Sequence, residues 1–300
     1  MSKKQLIVIG GPTASGKTAL SVQLAKDLNT VILSGDSRQF YREMSIGTAK
    51  PTVEEMQGVK HYFIDSHSIA DEVNAADYAR EAEALLKELF TQHDQVVLVG
   101  GSGMFMDALC YGLDDIPHDV DVQNVLNERF KSEGLLPLVA ELQEKDPEFA
   151  NQADLSNPVR VIRALEVIQI TGEKFSTLRT NQRKQHDFEI QYFAIHVERE
   201  QLYDRINQRV DAMLEAGLEE EVRALIPYRS LKSMQTVGYS EWFDFWDGKT
   251  ERDTCIEMIK QNSRRYAKRQ VTWFKRNKDI SWIPYTSTSE MSQLILEKIK

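Results

Sequence analysis

Apolar residues first fall in an unbroken run, Leu6 to Ile9 of QLIVI at 5–9, the pattern of a strand buried on both faces. Leu20, Leu24 and Leu28 follow at helical spacing, so 19–28 predicts a helix. VILSGDS at 31–37 predicts a second strand that ends in polar residues. Over 75–90, Tyr78, Ala82, Leu85, Leu86 and Leu89 share one side of a helix, and QVVLVGG at 95–101 is another buried strand. Strand, helix, strand, helix, strand predicts an α/β fold, a parallel sheet with helices on its faces. The pattern changes after Asp114. Residues 122–190 carry helical spacing and no strand until FEIQYFAIHV at 188–197, which predicts a return to the sheet. We therefore expect a core domain of 1–114 and 191–300 and a mostly helical insertion at 115–190. Helices dominate 199–276.

Composition narrows the class. Three hundred residues suit a core plus an insertion better than one core. Hydrophobic residues at 41% and charged residues at 28% fit a soluble globular protein. Cys110 and Cys255 form neither a CxxC pair nor a disulfide framework, which points to a reducing compartment and away from structural zinc. LIVIGG at 6–11 is too short for a signal peptide, and no run approaches the ~18 apolar residues of a membrane helix. A cytoplasmic protein with no membrane partner is expected. The net charge of −9 argues against indiscriminate nucleic-acid binding, yet 260–278 holds eight Lys or Arg and no Asp or Glu.

Gly11-Pro12-Thr13-Ala14-Ser15-Gly16-Lys17-Thr18 fits G-x-x-x-x-G-K-[ST], with the required strand before it and helix after it. The glycines let the backbone curl so that several N–H groups face one anion, and the helix adds the positive end of its dipole. Lys17 supplies a point charge, and the Thr18 hydroxyl is placed to ligate Mg²⁺. This P-loop NTPase-like core therefore predicts a polyphosphate site. Hydrolysis would need an acid at the end of a later strand, and VVLVGG ends in glycines with Ser102 next. An acid does end the second strand, Asp36; it is either a group facing the acceptor or a turn former.

From this point the chain resembles the tRNA dimethylallyltransferase (tRNA isopentenyltransferase) family. DSRQFYREMSIGTAKP at 36–51 resembles its DSxQxYxxMxIGTAKP signature. GGSGMF at 100–105, NPVRVIRALEV at 157–167, LYDRINQRVDAMLEAGLEEEV at 202–222, QTVGYSE at 235–241 and RRYAKRQVTWF at 264–274 resemble further blocks in family order. The resemblance implies transfer of a dimethylallyl group from dimethylallyl diphosphate to N6 of the adenosine beside the tRNA anticodon, position 37. The P-loop, 11–18, would hold the leaving diphosphate, which explains the missing hydrolytic acid.

Residue chemistry fits that implication. An exocyclic adenine amine is a poor nucleophile because its lone pair is delocalised into the ring. A carboxylate that accepts its N–H orients the amine and takes the proton, a role typically worth ~10²–10⁴-fold; Asp36 suits it. Lys17, Mg²⁺ on Thr18 and backbone N–H groups would stabilise charge on the diphosphate, each preorganised donor being worth ~3–4 kcal/mol. The family places an arginine against the diphosphate at the position of Arg209; from spacing alone Arg209 is a solvated helix residue.

The target base must be unstacked from the anticodon stem-loop. The resemblance assigns tRNA contacts to Asp36, Ser37, Arg38 and Gln39, to Ser102, to Arg160 and Arg163, and to Thr236, Val237, Gly238 and Tyr239. Plainer alternatives are surface charges for the two arginines and a packed turn for 237–239. On a helical projection Arg264, Arg265, Lys268, Arg269, Lys275 and Arg276 lie within about 140° of one another, opposite Ile259, Tyr266, Ala267, Val271, Trp273 and Phe274. One face would pack and the other would offer Arg264 and Lys268 to phosphates, or be a merely solvated charged face.

Three positions depart from the family. Val159 stands where many members have Gln, Asn124 where many have an arginine with Arg129 the nearest here, and Gln235 where some have Arg. The absence of paired Cys and His near residue 300 makes the chain similar to bacterial members, and we expect a monomer. Two other functions stay open: an adenylate isopentenyltransferase acting on free nucleotides, and a P-loop nucleotide-switch binding module.

Overall fold

The structure, a computed structural model, describes residues 3–180 and 182–299. Its core is a six-stranded parallel sheet with strand order β3-β2-β4-β1-β5-β6. The strands are β1 (Gln5–Gly10), β2 (Ile32–Ser34), β3 (His61–Tyr62), β4 (Gln95–Val99), β5 (Glu189–His196) and β6 (Ser281–Pro284). Leu6 to Ile9 of β1 and Val96 to Leu98 of β4 have no exposed surface, which is why both strands read as unbroken apolar runs. The central strand β1 pairs β4 on one side and β5 on the other.

The first compact unit runs up to Cys110 and resumes at Gln185. Its N-terminal helices are α1 (Lys17–Asp27), α2 (Val53–Met56), α3 (Ala75–Leu89) and α4 (Gly103–Tyr111). Helix α3 buries Ala75, Tyr78, Ala82, Leu86 and Leu89 and begins on an Asn74 side-chain cap. The polar end of VILSGDS is not strand. Asp36 turns the chain by accepting the Arg38 N–H at 3.1 Å, and the Tyr78 hydroxyl donates to the Ser34 carbonyl at 2.9 Å.

The second unit, Tyr111–Lys184, is helical: α5 (Val120–Glu133), α6 (Leu135–Lys145), α7 (Pro147–Gln152), α8 (Pro158–Thr171) and α9 (Phe175–Leu178). Leu126, Leu138, Leu142, Phe149, Val161 and Leu165 form its own core. Its limits lie several residues before those expected from the sequence at 115 and 190. His186 explains the later one: it stacks on Phe188 at 4.6 Å and hydrogen-bonds the Cys110 carbonyl at 3.2 Å, within the first unit.

After β5 come α10 (Arg199–Glu215), α11 (Leu218–Ala224), α12 (Ser240–Trp246), α13 (Arg252–Phe274) and α14 (Thr288–Lys298). Residues 226–239 are 3₁₀ turns and loop, consistent with Pro227 and Gly238 interrupting helix. Strand β6 is four residues long and, among the described residues, pairs only β5, too short a run to read from periodicity. Among the described residues, no helix is long and apolar enough to cross a membrane.

Candidate active site

The P-loop leaves β1 and enters α1 with Gly16 at φ 90°, a left-handed conformation at the helix N-cap. A Cβ on Gly16 would also stand 3.3 Å from the Tyr285 ring. The loop is held from three sides. Thr13 donates its backbone N–H to Gln270 Oε1 at 2.9 Å. Arg209 Nη1 donates to Thr13 Oγ1 at 3.1 Å, and Arg205 Nε donates to the Ala14 carbonyl at 2.7 Å. Arg205 also stacks over Tyr285, 4.6 Å from its ring centre, and hydrogen-bonds its hydroxyl. Arg205 and Arg209 are one helical turn apart on α10, so both guanidinium groups reach the same loop.

Lys17 Nζ donates to the Pro12 carbonyl at 2.6 Å. Burial lowers its pKa to about 7, against the opposing pull of Asp36; Arg209 lowers it further. Burial likewise lowers the Arg209 pKa, countered by Glu55 and Asp36. Two half-buried cations that share Asp36 as a neighbouring charge are what an incoming polyanion would stabilise. An open cavity of about 440 Å³ lies over 14–19, bordered by Arg205, Gln208, Arg209 and Glu55. Among the described residues no cluster of three or more His, Cys, Asp or Glu could hold a metal ion. Thr18 lines this cavity and supplies a hard hydroxyl oxygen.

A second cavity, about 140 Å³, shares Lys17, Thr18 and Arg209 with the first. Asp36, Arg38 and Gln39 line one part of it; Ile206, Val210, Met213 and Ile259 line another. Ile206, Val210 and Met213 recur at i, i+4 and i+7 on α10, continuing the face that carries Arg209. Val210, Ile259 and Tyr239 are at most 3% exposed and belong to a separate apolar core with Trp242 and Leu218. The cavity therefore joins a cationic end, a carboxylate and an apolar wall.

The 45–49 loop forms the cavity's remaining wall through Gly47, Thr48 and Ala49. Gln39 Nε2 donates to the Thr48 and Ala49 carbonyls at 3.3 and 3.1 Å, so its amide braces the loop. Glu221 holds the loop from behind. Its carboxylate accepts N–H groups of Ser45 at 3.0 Å, Ile46 at 2.8 Å and Gly47 at 3.1 Å, and the Tyr239 hydroxyl at 2.6 Å. A Cβ on Gly47 would stand 2.4 Å from the Tyr239 ring, so glycine is required there.

The residues expected to touch the acceptor fall into four sets. Asp36, Arg38, Gln39 and 236–239 line the one cavity. Ser37 donates its N–H to Ser102 Oγ at 3.0 Å, which fixes the Asp36 turn against the glycine loop after β4. Tyr239 has no exposed surface and spends its hydroxyl on Glu221. Arg160 and Arg163 belong to the second unit. Arg160 is exposed; Arg163 donates to the Ile116 carbonyl at 3.1 Å and pairs with the buried Glu166 at 3.0 Å. On α13, Lys268 is exposed, whereas Arg264 is half-buried and donates to Asn207. Val159 is exposed on α8, and Arg129 pairs with Glu141 at 2.8 Å.

Four contributors escaped sequence reading. Arg205 stands four residues before Arg209 in the same block. Glu221 sits in a run of three acids that spacing cannot rank. Tyr266 was expected to pack, and it lines the cavity beside Asp36, its phenol pushed up to about 12 by burial and then by that carboxylate. Gln270, buried among the cations of α13, bridges Thr13 to the Gly101 carbonyl at 2.9 Å.

The IPP transferase family model matches residues 39–277. A tRNA dimethylallyltransferase of Cytophaga hutchinsonii is 47% identical over 99% of this chain and 98% of its own length. The structure of a tRNA isopentenylpyrophosphate transferase from Bacillus halodurans superposes with a TM-score of 0.73 at 38% identity, covering 99% of this chain and 97% of that one. A eukaryotic dimethylallyltransferase captured acting on tRNA gives a TM-score of 0.78 at 25% identity, covering 99% of this chain and 77% of that one.

Proposed function

The chain belongs to the IPP transferase family, and from that premise we propose that it transfers the dimethylallyl group of dimethylallyl diphosphate to N6 of the adenosine beside the anticodon of tRNA. The observation that carries this reading is the single cavity joining Lys17, Thr18 and Arg209 to Asp36 along an apolar wall. A diphosphate fits the cationic end, a five-carbon allyl group fits Ile206, Val210 and Met213, and an adenine amine fits Asp36.

The reaction then balances as follows. The N6 lone pair forms a bond to C1 of the allyl group. The C1–O bond breaks and its electron pair leaves on the diphosphate. The amine proton passes to Asp36. Lys17, Arg209 and the loop N–H groups receive the charge that develops on the leaving oxygen; such donors act without reorganising. Arg205 anchors the loop from behind and adds positive potential. Thr18 would hold Mg²⁺ together with the substrate's own oxygens and water, which suits an ion that takes few protein ligands and neutralises phosphate charge. The helical unit, 111–184, would meet the tRNA through exposed Arg160, with Arg163 fixing the local fold. A cytoplasmic monomer is the state in which we expect the enzyme to work.

Labelled dimethylallyl diphosphate incubated with tRNA or with AMP tests the assignment. Label in the tRNA adenosine supports it. Label only in AMP would establish the free-nucleotide enzyme instead, and label in neither would overturn prenyl transfer.

A further inference from the structure

We infer that Glu221 is a positioning residue for transfer, one whose carboxylate fixes the 45–49 wall of the cavity; this rests on the prenyl-transfer reading above. Three consecutive backbone N–H groups, of Ser45, Ile46 and Gly47, converge on one carboxylate. Such an arrangement is an anion nest, and charge-assisted bonds of this kind are about twice as strong as neutral ones. The fourth donor is the Tyr239 hydroxyl, whose ring fills the space left by the missing Cβ of Gly47. Glu221 thus ties α11, the 236–239 turn and the 45–49 loop to one point.

The other side of the loop faces the reacting groups. Thr48 and Ala49 receive the Gln39 amide, and Ala49 also borders the phosphate cavity. Gln39 is in the turn that Asp36 opens: its N–H donates to the Asp36 carbonyl at 3.1 Å. Displacing the loop therefore moves the wall between diphosphate and base and loosens the turn that aims Asp36. Glu221 touches neither substrate. Its effect belongs to alignment, where an error of ~1 Å can cost on the order of 10²-fold in rate.

Glutamine discriminates this arrangement from simple packing. Gln at 221 has the same shape, but its NH₂ must face donors. It can face Gly47 N–H and the Tyr239 hydroxyl, which can turn to accept, and only one loop bond is then lost. E221Q should therefore fall between E221A and wild type, and adding Tyr239→Phe should worsen it.

The test measures single-turnover transfer to tRNA, the affinity for dimethylallyl diphosphate, and hydrogen exchange at 45–47, each well below the variant's melting temperature. For E221A the expected result is a transfer rate lowered about 10²-fold. Diphosphate affinity should stay within about threefold, because the cations on α10 and the P-loop are untouched, and the 45–47 amides should lose protection. Wild-type transfer in folded E221A, or unchanged protection at 45–47, would overturn the inference. Failure of wild-type protein to transfer the group would sink the function instead, and the exchange measurement would still decide whether Glu221 holds the loop.

Discussion

Thr13 of the P-loop gives its backbone N–H to Gln270 on α13, and the same amide gives a hydrogen to Gly101. Gln270 is 6% exposed, so neither bond has ready competition from water. A Cβ on Gly101 would stand 2.3 Å from Gln270 Nε2, which leaves no room for another residue. The bridge locks the phosphate loop to the loop after β4. Removing it strands the half-buried Thr13 N–H and the buried Gly101 carbonyl, the latter costing about 1–3 kcal/mol. Gln270→Leu should lower the melting temperature and weaken dimethylallyl diphosphate binding about tenfold. Calorimetric titration and thermal unfolding with and without pyrophosphate check it; unchanged affinity would show that the loop keeps its shape without the bridge.

On the proposed reading, Lys17 gives diphosphate binding a pH dependence. Its pKa lies near 7 in the free protein because burial disfavours the charge. A bound polyanion favours the charge and raises that pKa. Above about pH 7 binding must therefore take up a proton, and affinity should fall by up to about tenfold per pH unit until the pKa of the complex is reached. The linkage to folding has the same origin. The unfolded lysine titrates near its ordinary 10.5, so the unfolded chain holds more protons between about 7 and 10.5 and this group's contribution to stability rises with pH across that window. Titrations from pH 7 to 9 in buffers of differing ionisation enthalpy would reveal the proton. Lys17→Arg, charged throughout, should abolish that slope.

On the proposed reading, Asp36 acts in the chemical step. Its side chain accepts the Arg38 N–H, and its charge raises the pKa of both Lys17 and Arg209. Asp36→Asn keeps the turn and removes the base. Single-turnover transfer should fall by ~10²–10⁴-fold while affinity for dimethylallyl diphosphate changes little. Rapid-quench measurement separates the two, and a retained rate would remove Asp36 from the reaction.

The sheet was legible because its strands are buried on both faces. Leu6 to Ile9 and Val96 to Leu98 needed no alternation to be read. The turn that carries Lys17 and Thr18 from β1 into α1 was legible because it is a local device, built from adjacent residues. Glu221 and Gln270 were not, because the loops they hold lie 174–176 residues away for Glu221 and 169 and 257 for Gln270. A polar residue beside charged neighbours gives no sign of which carbonyl or N–H the fold will deliver to it. Tyr266 shows the limit of helical projection. Period alone assigned it to a packing face, and the same direction on α13 opens onto the cavity.

Helix α13 yields the last prediction. Its cations differ in what they already hold. Arg264 is half-buried and donates to Asn207 of α10, whereas Lys268 is exposed. A phosphate contact by Lys268 releases counterions, so Lys268→Gln should reduce the slope of log K against log salt for tRNA by about 0.7–0.9 and weaken binding at low salt. Arg264→Gln removes a bond between helices as well as a charge. It should lower the melting temperature in addition to any change in slope, since a hydrogen bond of this kind is worth about 1 kcal/mol. Filter binding of tRNA between ~50 and 200 mM salt, beside thermal unfolding of both variants, separates the two effects. Equal slopes for Lys268→Gln and wild type would make this face of α13 a solvated surface with no phosphate on it.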